Sequence, residues 1–280
     1  MPVPPVNCDK IEPVSETASL PQHNLKMFEA SPFKLNMFLQ CPRQYMFQYI
    51  DRLGDIYRKP RPYFTMGDHI HAALKDFLSL VPVNERTPSK LEALLREKWQ
   101  LNRKGFNDRE DEKKWGKKAL NQLRWFVKNQ DISVTPLMIE NYHKVELIPN
   151  VVLGGRIDRV DKEADGSLHI IDYKTGKMPD EINRVQLQIY ALILSKKQDL
   201  PLRKASYLYL DAGKLRTIEL TASELTQATS YVIDMVDRIC MEREYPATPN
   251  NYCWNCDFLE ICPQKEEAAK FTATEGDLDL

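Results

Sequence analysis

The apolar positions of this chain first recur at helical intervals, then at every second residue, then at helical intervals again. In SPFKLNMFLQCPRQYMFQYIDRL, Leu35, Phe38 and Leu39, followed by Tyr45, Met46 and Tyr49, share helical spacing. Ser31 is placed to cap that helix, Pro32 to open it and Pro42 to perturb it. In TMGDHIHAALKDFLSL, Ile70, Leu74, Phe77 and Leu78 form an apolar stripe, with Thr65 as the expected cap and His71 beside the stripe. Residues 88–130 are charged and helical, anchored by Leu91, Leu94, Leu95, Trp99, Leu120, Leu123 and Trp125, and are expected to form a helical insert. Past Pro136 the period falls to two. LMIENYHKVELI, VVLGGRIDRVDK and SLHIIDYKT read as three strands of a meander, separated by PN and EADG. NRVQLQIYALILSKK is then a helix, ASYLYLD and KLRTIEL are strands around AG, and TASELTQATSYVIDMVDRICMERE is a long helix. The expected fold class is α/β, a mixed central sheet flanked by helices.

Composition adds limits. With 280 residues, 42% of them apolar, and neither a repeat nor a glycine-serine linker, one domain over residues 31–263 is expected. Residues 1–30, rich in proline and polar side chains, read as a flexible N-terminal arm, and the acidic residues 264–280 as a flexible tail. A net charge of −1 gives no global attraction to nucleic acid, so a polyanion site must be a local patch. No run of signal-peptide or membrane-span length occurs, which points to a cytoplasmic protein with no membrane partner. No phosphate-cradling glycine-lysine loop occurs either, so the chain carries no motor of its own.

The chemistry gathers at strand ends. Asp158 in GGRIDRVD and Asp172 in IIDYKTGK each interrupt a strand-like apolar run, and a short turn between the strands can set them side by side. Close carboxylates repel, and a hard cation such as Mg²⁺ or Mn²⁺ is the usual compensation. Strand alternation puts Asp172 and Lys174 on one face and Tyr173 on the other. A cation lowers the pKa of a bound water, while a lysine orients that water or stabilises charge on a phosphate, which suits phosphodiester hydrolysis. A lone D-x-K is more often a surface ion pair, so the reading depends on company. His71 is one candidate. Gln186 and Tyr190, four apart on one helical face in QLQIY, are others, able to bond a phosphate or the lysine.

Taken in order, MGDHIHAALKDF, GGRIDRVD, IIDYKTGK and QLQIYAL resemble the PD-(D/E)XK nuclease superfamily in its RecB-like branch, over about residues 31–263. The resemblance implies a restriction-endonuclease-like fold. It implies that His71, Asp158, Asp172 and the peptide carbonyl of Tyr173 bind the divalent metal, that Lys174 serves the hydrolytic water, and that Gln186 and Tyr190 form a supporting motif. Ile157 stands where the superfamily name has proline, and the spacing from Gly67 selects His71 over His69.

Cys41 in LQCPRQY and Cys253, Cys256 and Cys262 in CWNCDFLEIC offer four thiolates, able to hold zinc or an iron–sulfur cluster. Structural zinc usually shows two paired knuckles. Three clustered thiolates with one distant partner, and Cys-Pro at 41–42 and 262–263, favour a 4Fe-4S cluster. A subset of RecB-like nucleases shares this arrangement, among them the iron–sulfur nuclease of CRISPR adaptation and the AddB nuclease domain. Such a cluster would staple the first helix to the C-terminal segment and close a very long loop. Cys8 and Cys240 lack ligand spacing.

The expected activity is that of a metal-dependent DNA exonuclease on single strands or DNA ends, in repair, recombination or CRISPR adaptation. Tyr45, Tyr49, Tyr173 and Tyr190 are candidates to stack on bases, and Arg43, Arg52, Arg58, Lys59 and Arg61 to hold phosphates. The alternative is a non-cleaving module that binds DNA ends, or an accessory subunit of a helicase or integrase complex. The intact acid–acid–lysine set separates the two.

Overall fold

A six-stranded mixed sheet runs through the computed structural model, which describes residues 27–271. In chain order the elements are β1 (Phe28–Ala30), α1 (Pro32–Gln40), α2 (Pro42–Tyr45) with a π-turn at Met46–Ile50, α3 (Gly54–Tyr57), α4 (Pro62–Ser79), α5 (Pro88–Leu101) and α6 (Arg109–Asn129). Then come β2 (Met138–Ile148), β3 (Val151–Lys162), β4 (Leu168–Lys174), α7 (Val185–Ser195), β5 (Leu202–Tyr209), β6 (Lys214–Glu219), α8 (Ala222–Met241) and α9 (Lys265–Ala268). The strands follow the order β1-β3-β4-β5-β6, with β2 paired to β3. The β2–β3, β3–β4 and β5–β6 pairs are antiparallel, while β1–β3 and β4–β5 are parallel, α7 providing the β4–β5 crossover.

Side-chain alternation splits the core into two layers. Ile170 on β4 joins Ile157, Tyr207, Ile189 and Val232 in the core that contains α1, α7 and α8. Ile171 and Tyr173 point the other way, onto Ile70, Leu74, Phe77 and Phe126 of α4 and α6. The catalytic-looking end of β4 is therefore clamped from both sides. The apolar stripe read in TMGDHIHAALKDFLSL is fully buried here.

Three boundaries differ from the sequence reading. Helix α4 begins at Pro62, with Arg61 at its N-cap, so Thr65 lies inside the helix and donates its hydroxyl to the Lys104 carbonyl at 2.7 Å. Phe28–Ala30, placed in the arm, pairs with Val151–Leu153 as an edge strand, and its Ala30 is buried. Lys265–Ala268, placed in the tail, forms a helical turn whose Ala268 is buried. The rest of the arm and the end of the tail lie outside the described residues. Among the described residues no helix is long and apolar enough to cross a membrane.

Candidate active site

Where β4 ends alongside the interior of β3, against α4 and α7, a cleft of about 810 Å³ gathers His71, Glu140, Asp158, Asp172, Lys174, Gln186 and Tyr190. Each element delivers its share for a local reason. β3 carries Asp158, and the oxygen Oδ2 of that side chain accepts the Tyr173 backbone N–H at 2.7 Å, locking β3 to β4 at the site. α4 presents His71 beside its buried stripe, at the edge that borders the cleft. The His71 Nδ1 lies 3.4 Å from Asp158 Oδ2 and 3.1 Å from Glu140 Oε1. His69, two residues away, is buried on the other side with its Nε2 on the Asn102 carbonyl at 2.8 Å.

Lys174 and Asp172 face α7, as alternation requires. Lys174 Nζ sits 2.7 Å from Asp172 Oδ2 and donates to Gln186 Oε1 at 2.8 Å. Gln186 Nε2 donates to Asp172 Oδ1 at 3.3 Å and to the Tyr190 hydroxyl at 2.9 Å. Tyr207 on β5 completes the arrangement, donating to the Asn183 carbonyl at 2.8 Å and lying under the Lys174 ammonium, 4.8 Å from ring centre to nitrogen.

The electrostatics call for a cation. Asp172 is buried, and burial first, then the neighbouring Asp158 charge, push its pKa up to about 6 against the pull of Lys174. Burial alone would depress the pKa of His71. The carboxylates of Asp158 and Glu140 overturn that and hold it up at about 10. Apart from the Lys174 ion pair, buried Asp172 Oδ2 has no hydrogen-bond partner. One ligand atom from each of His71, Glu140 and Asp158 lies within 4.8 Å of the others, a donor set of imidazole and hard oxygens that fits Mg²⁺ or Mn²⁺.

Glu140 was not singled out in the sequence. It sits on β2 in the register Ile139 to Arg159 and Asn141 to Ile157, which sets it across from Asp158. Its backbone has φ of 50°, a left-handed conformation that a glutamate adopts only at a cost. The signal in MIENYH is nothing more than an acid in a strand.

The aromatic and basic candidates fare differently. Tyr45, Tyr173 and Tyr190 are buried, with Tyr45 stacked on Tyr245, so none offers a face to a base. Lys59 pairs with Glu260 at 3.0 Å and Arg61 with Asp257 at 2.6 Å, so both are engaged with the C-terminal segment. Tyr63 and Phe64 also line the cleft, and of the two Phe64 is exposed.

Cys41, Cys253, Cys256 and Cys262 converge on a separate cavity beside Phe47 and Phe258, all four as free thiols. Burial and then the neighbouring thiols push Cys256 up to about 11, as expected where four sulfurs that ionise only with a compensating cation are held together.

Acids from neighbouring strands, a lysine two residues past one of them, and a mixed sheet between helical layers define the class of metal-dependent phosphodiester hydrolases. The chain belongs to the PD-(D/E)XK nuclease superfamily, whose family model matches residues 29–263. Among solved structures, a candidate exonuclease from Eubacterium rectale shares 12% identity over 80% of this chain and 87% of its own, with a TM-score of 0.49. A protein designated SSO0001 shares 17% identity over 85% of this chain and 86% of its own, with a TM-score of 0.39. No match to a curated protein was found.

Proposed function

We propose that the chain is a DNA exonuclease acting on single strands or DNA ends with Mg²⁺ or Mn²⁺, in repair, recombination or CRISPR adaptation. The observation that carries this is the meeting of His71, Glu140 and Asp158 with the otherwise unpartnered Asp172 Oδ2 and the Lys174 ammonium in one open cleft. His71, Asp158, Asp172 and the Tyr173 carbonyl would hold the metal, with Glu140 added to the set. When bound, it would lower the pKa of a water and offset charge on the phosphate. Lys174, steered by Gln186 and Tyr207, holds the attacking water or the developing phosphate charge. Gln186 is itself fixed by Tyr190, so both tyrosines act through the lysine.

The four cysteines, three clustered in sequence and one distant, line one cavity, and this supports a 4Fe-4S cluster with a structural role. A cytoplasmic setting and a helicase or integrase partner accord with the resemblance to AddB and to the CRISPR-adaptation nuclease.

Cleavage of labelled single- and double-stranded DNA with Mn²⁺ tests the assignment. Asp172→Ala and Lys174→Ala should each lose at least about a hundredfold in rate. Equal activity in all three proteins would overturn the site, and wild type that binds ends without cutting them would favour a non-cleaving end-binding module.

A further inference from the structure

We propose that Phe64, backed by Tyr63, is a platform that stacks the face of one unpaired base and thereby selects single-stranded DNA at this cleft. This rests on the nuclease reading of the same site. Phe64 is 49% exposed and lines the cleft, in contrast with the buried tyrosines around the acids. Phe64, Gly67, His71 and Lys75 follow one another at intervals of three and four, so they share one face of α4. Phe64 and His71 are seven positions apart on the helix, a rise of roughly 10 Å, so the platform stands a short step from the proposed metal ligands. Gly67 between them presents no side chain, and a methyl there would meet just the Thr175 hydroxyl, at 3.3 Å. The path along this face is open.

The platform is also braced. Its neighbour Tyr63 packs at 4.5 Å between ring centres and accepts a hydrogen bond from the Asn255 side chain. Arg61, at the start of the same helix, donates to the Asn255 carbonyl at 2.8 Å and pairs with Asp257. A rigid exposed ring gains contact without losing much freedom, which favours it as a stacking surface. Base faces are hidden inside a duplex, whose grooves present edges instead, so the ring rewards an unpaired nucleotide. Arg156, its side chain 66% exposed on the cleft, and Lys75 supply positive charge for the phosphates that follow.

The test uses the full chain with a single-stranded oligonucleotide carrying 2-aminopurine near its end, in Ca²⁺ to hold back cleavage, against a blunt duplex of the same sequence. Wild type should quench the probe. Phe64→Ala should abolish the quench and weaken single-strand binding about tenfold while leaving duplex binding unchanged, and Phe64→Trp should restore both. In Mn²⁺, Phe64→Ala should raise KM on single strands with kcat retained. If wild type cuts single strands and Phe64→Ala quenches and binds like wild type, the platform is wrong and the nuclease reading stands. If wild type neither binds nor cuts DNA, both fall.

Discussion

Glu140 shows what a single residue can contribute and conceal. Its φ of 50° stores strain of about 1 kcal/mol or more, offset by the contact with His71 and by its place across from Asp158. If that strain serves the metal, Glu140→Gln should keep the hydrogen bond to His71 yet weaken Mn²⁺ binding about tenfold by calorimetry, with melting little changed. Unaltered Mn²⁺ affinity would reduce Glu140 to a support for the imidazole. Asp158, Asp172, Lys174, Gln186 and Tyr190 could be picked out in the sequence because short motifs hold them at telling intervals. Glu140 could not, because its role depends on the pairing register of β2 with β3, and register is not written in either strand alone. Phe64 was missed for a related reason. Nothing in PYFTMG says which ring will be covered, whereas packing hides Tyr45, Tyr173 and Tyr190.

Among the elements, α7 is the one on which the lysine's surroundings depend. It lies against β3 where Gly155 has no side chain, and an added methyl would sit 2.9 Å from the Tyr190 ring and 3.1 Å from Ile193. The Tyr190 atom belongs to a rigid ring, and both residues are buried. Gly155→Ala should therefore push α7 outward, costing about 1–3 kcal/mol in denaturant unfolding and lowering kcat, because Gln186 moves with Tyr190. A variant with unchanged kcat would show that the lysine does not need this helix. The bounds of β2, β3 and β4 were legible almost to the residue, since each is an apolar, strand-like run between turn residues. The short β1 was not, because three residues beside proline-rich polar sequence carry too little pattern. The stretch read as an insert has a connection the sequence hides as well. Gln122 of α6 is buried and donates to the Thr175 carbonyl, just past Lys174, at 2.9 Å.

At the scale of the whole molecule, the cysteine-bearing segment joins distant parts of the chain. Asn250 donates to the Gln40 carbonyl at 2.9 Å, Arg43 to the Glu244 carbonyl at 3.1 Å, and Arg61 pairs with Asp257. If an iron–sulfur cluster completes this junction, wild type prepared anaerobically should be brown and contain iron, and Cys256→Ser should lose the colour and melt several degrees lower. Zinc without iron in the wild-type protein would overturn the cluster. The basic residues of this region read as a phosphate-binding run in sequence, and the acids that neutralise Lys59 and Arg61 lie about 200 positions away, beyond the reach of any local pattern.

That junction also has a history in time. Asn250 and Gln40 are 210 residues apart, so at roughly 5–20 residues per second a ribosome needs about 10–40 s between making one side and the other. During that interval Cys41 waits with an exposed thiol while the sheet forms behind it. The cavity that the four cysteines line is thus among the last parts of the molecule to exist, and oxidation of the waiting thiol would strike nascent chains before it reached finished ones.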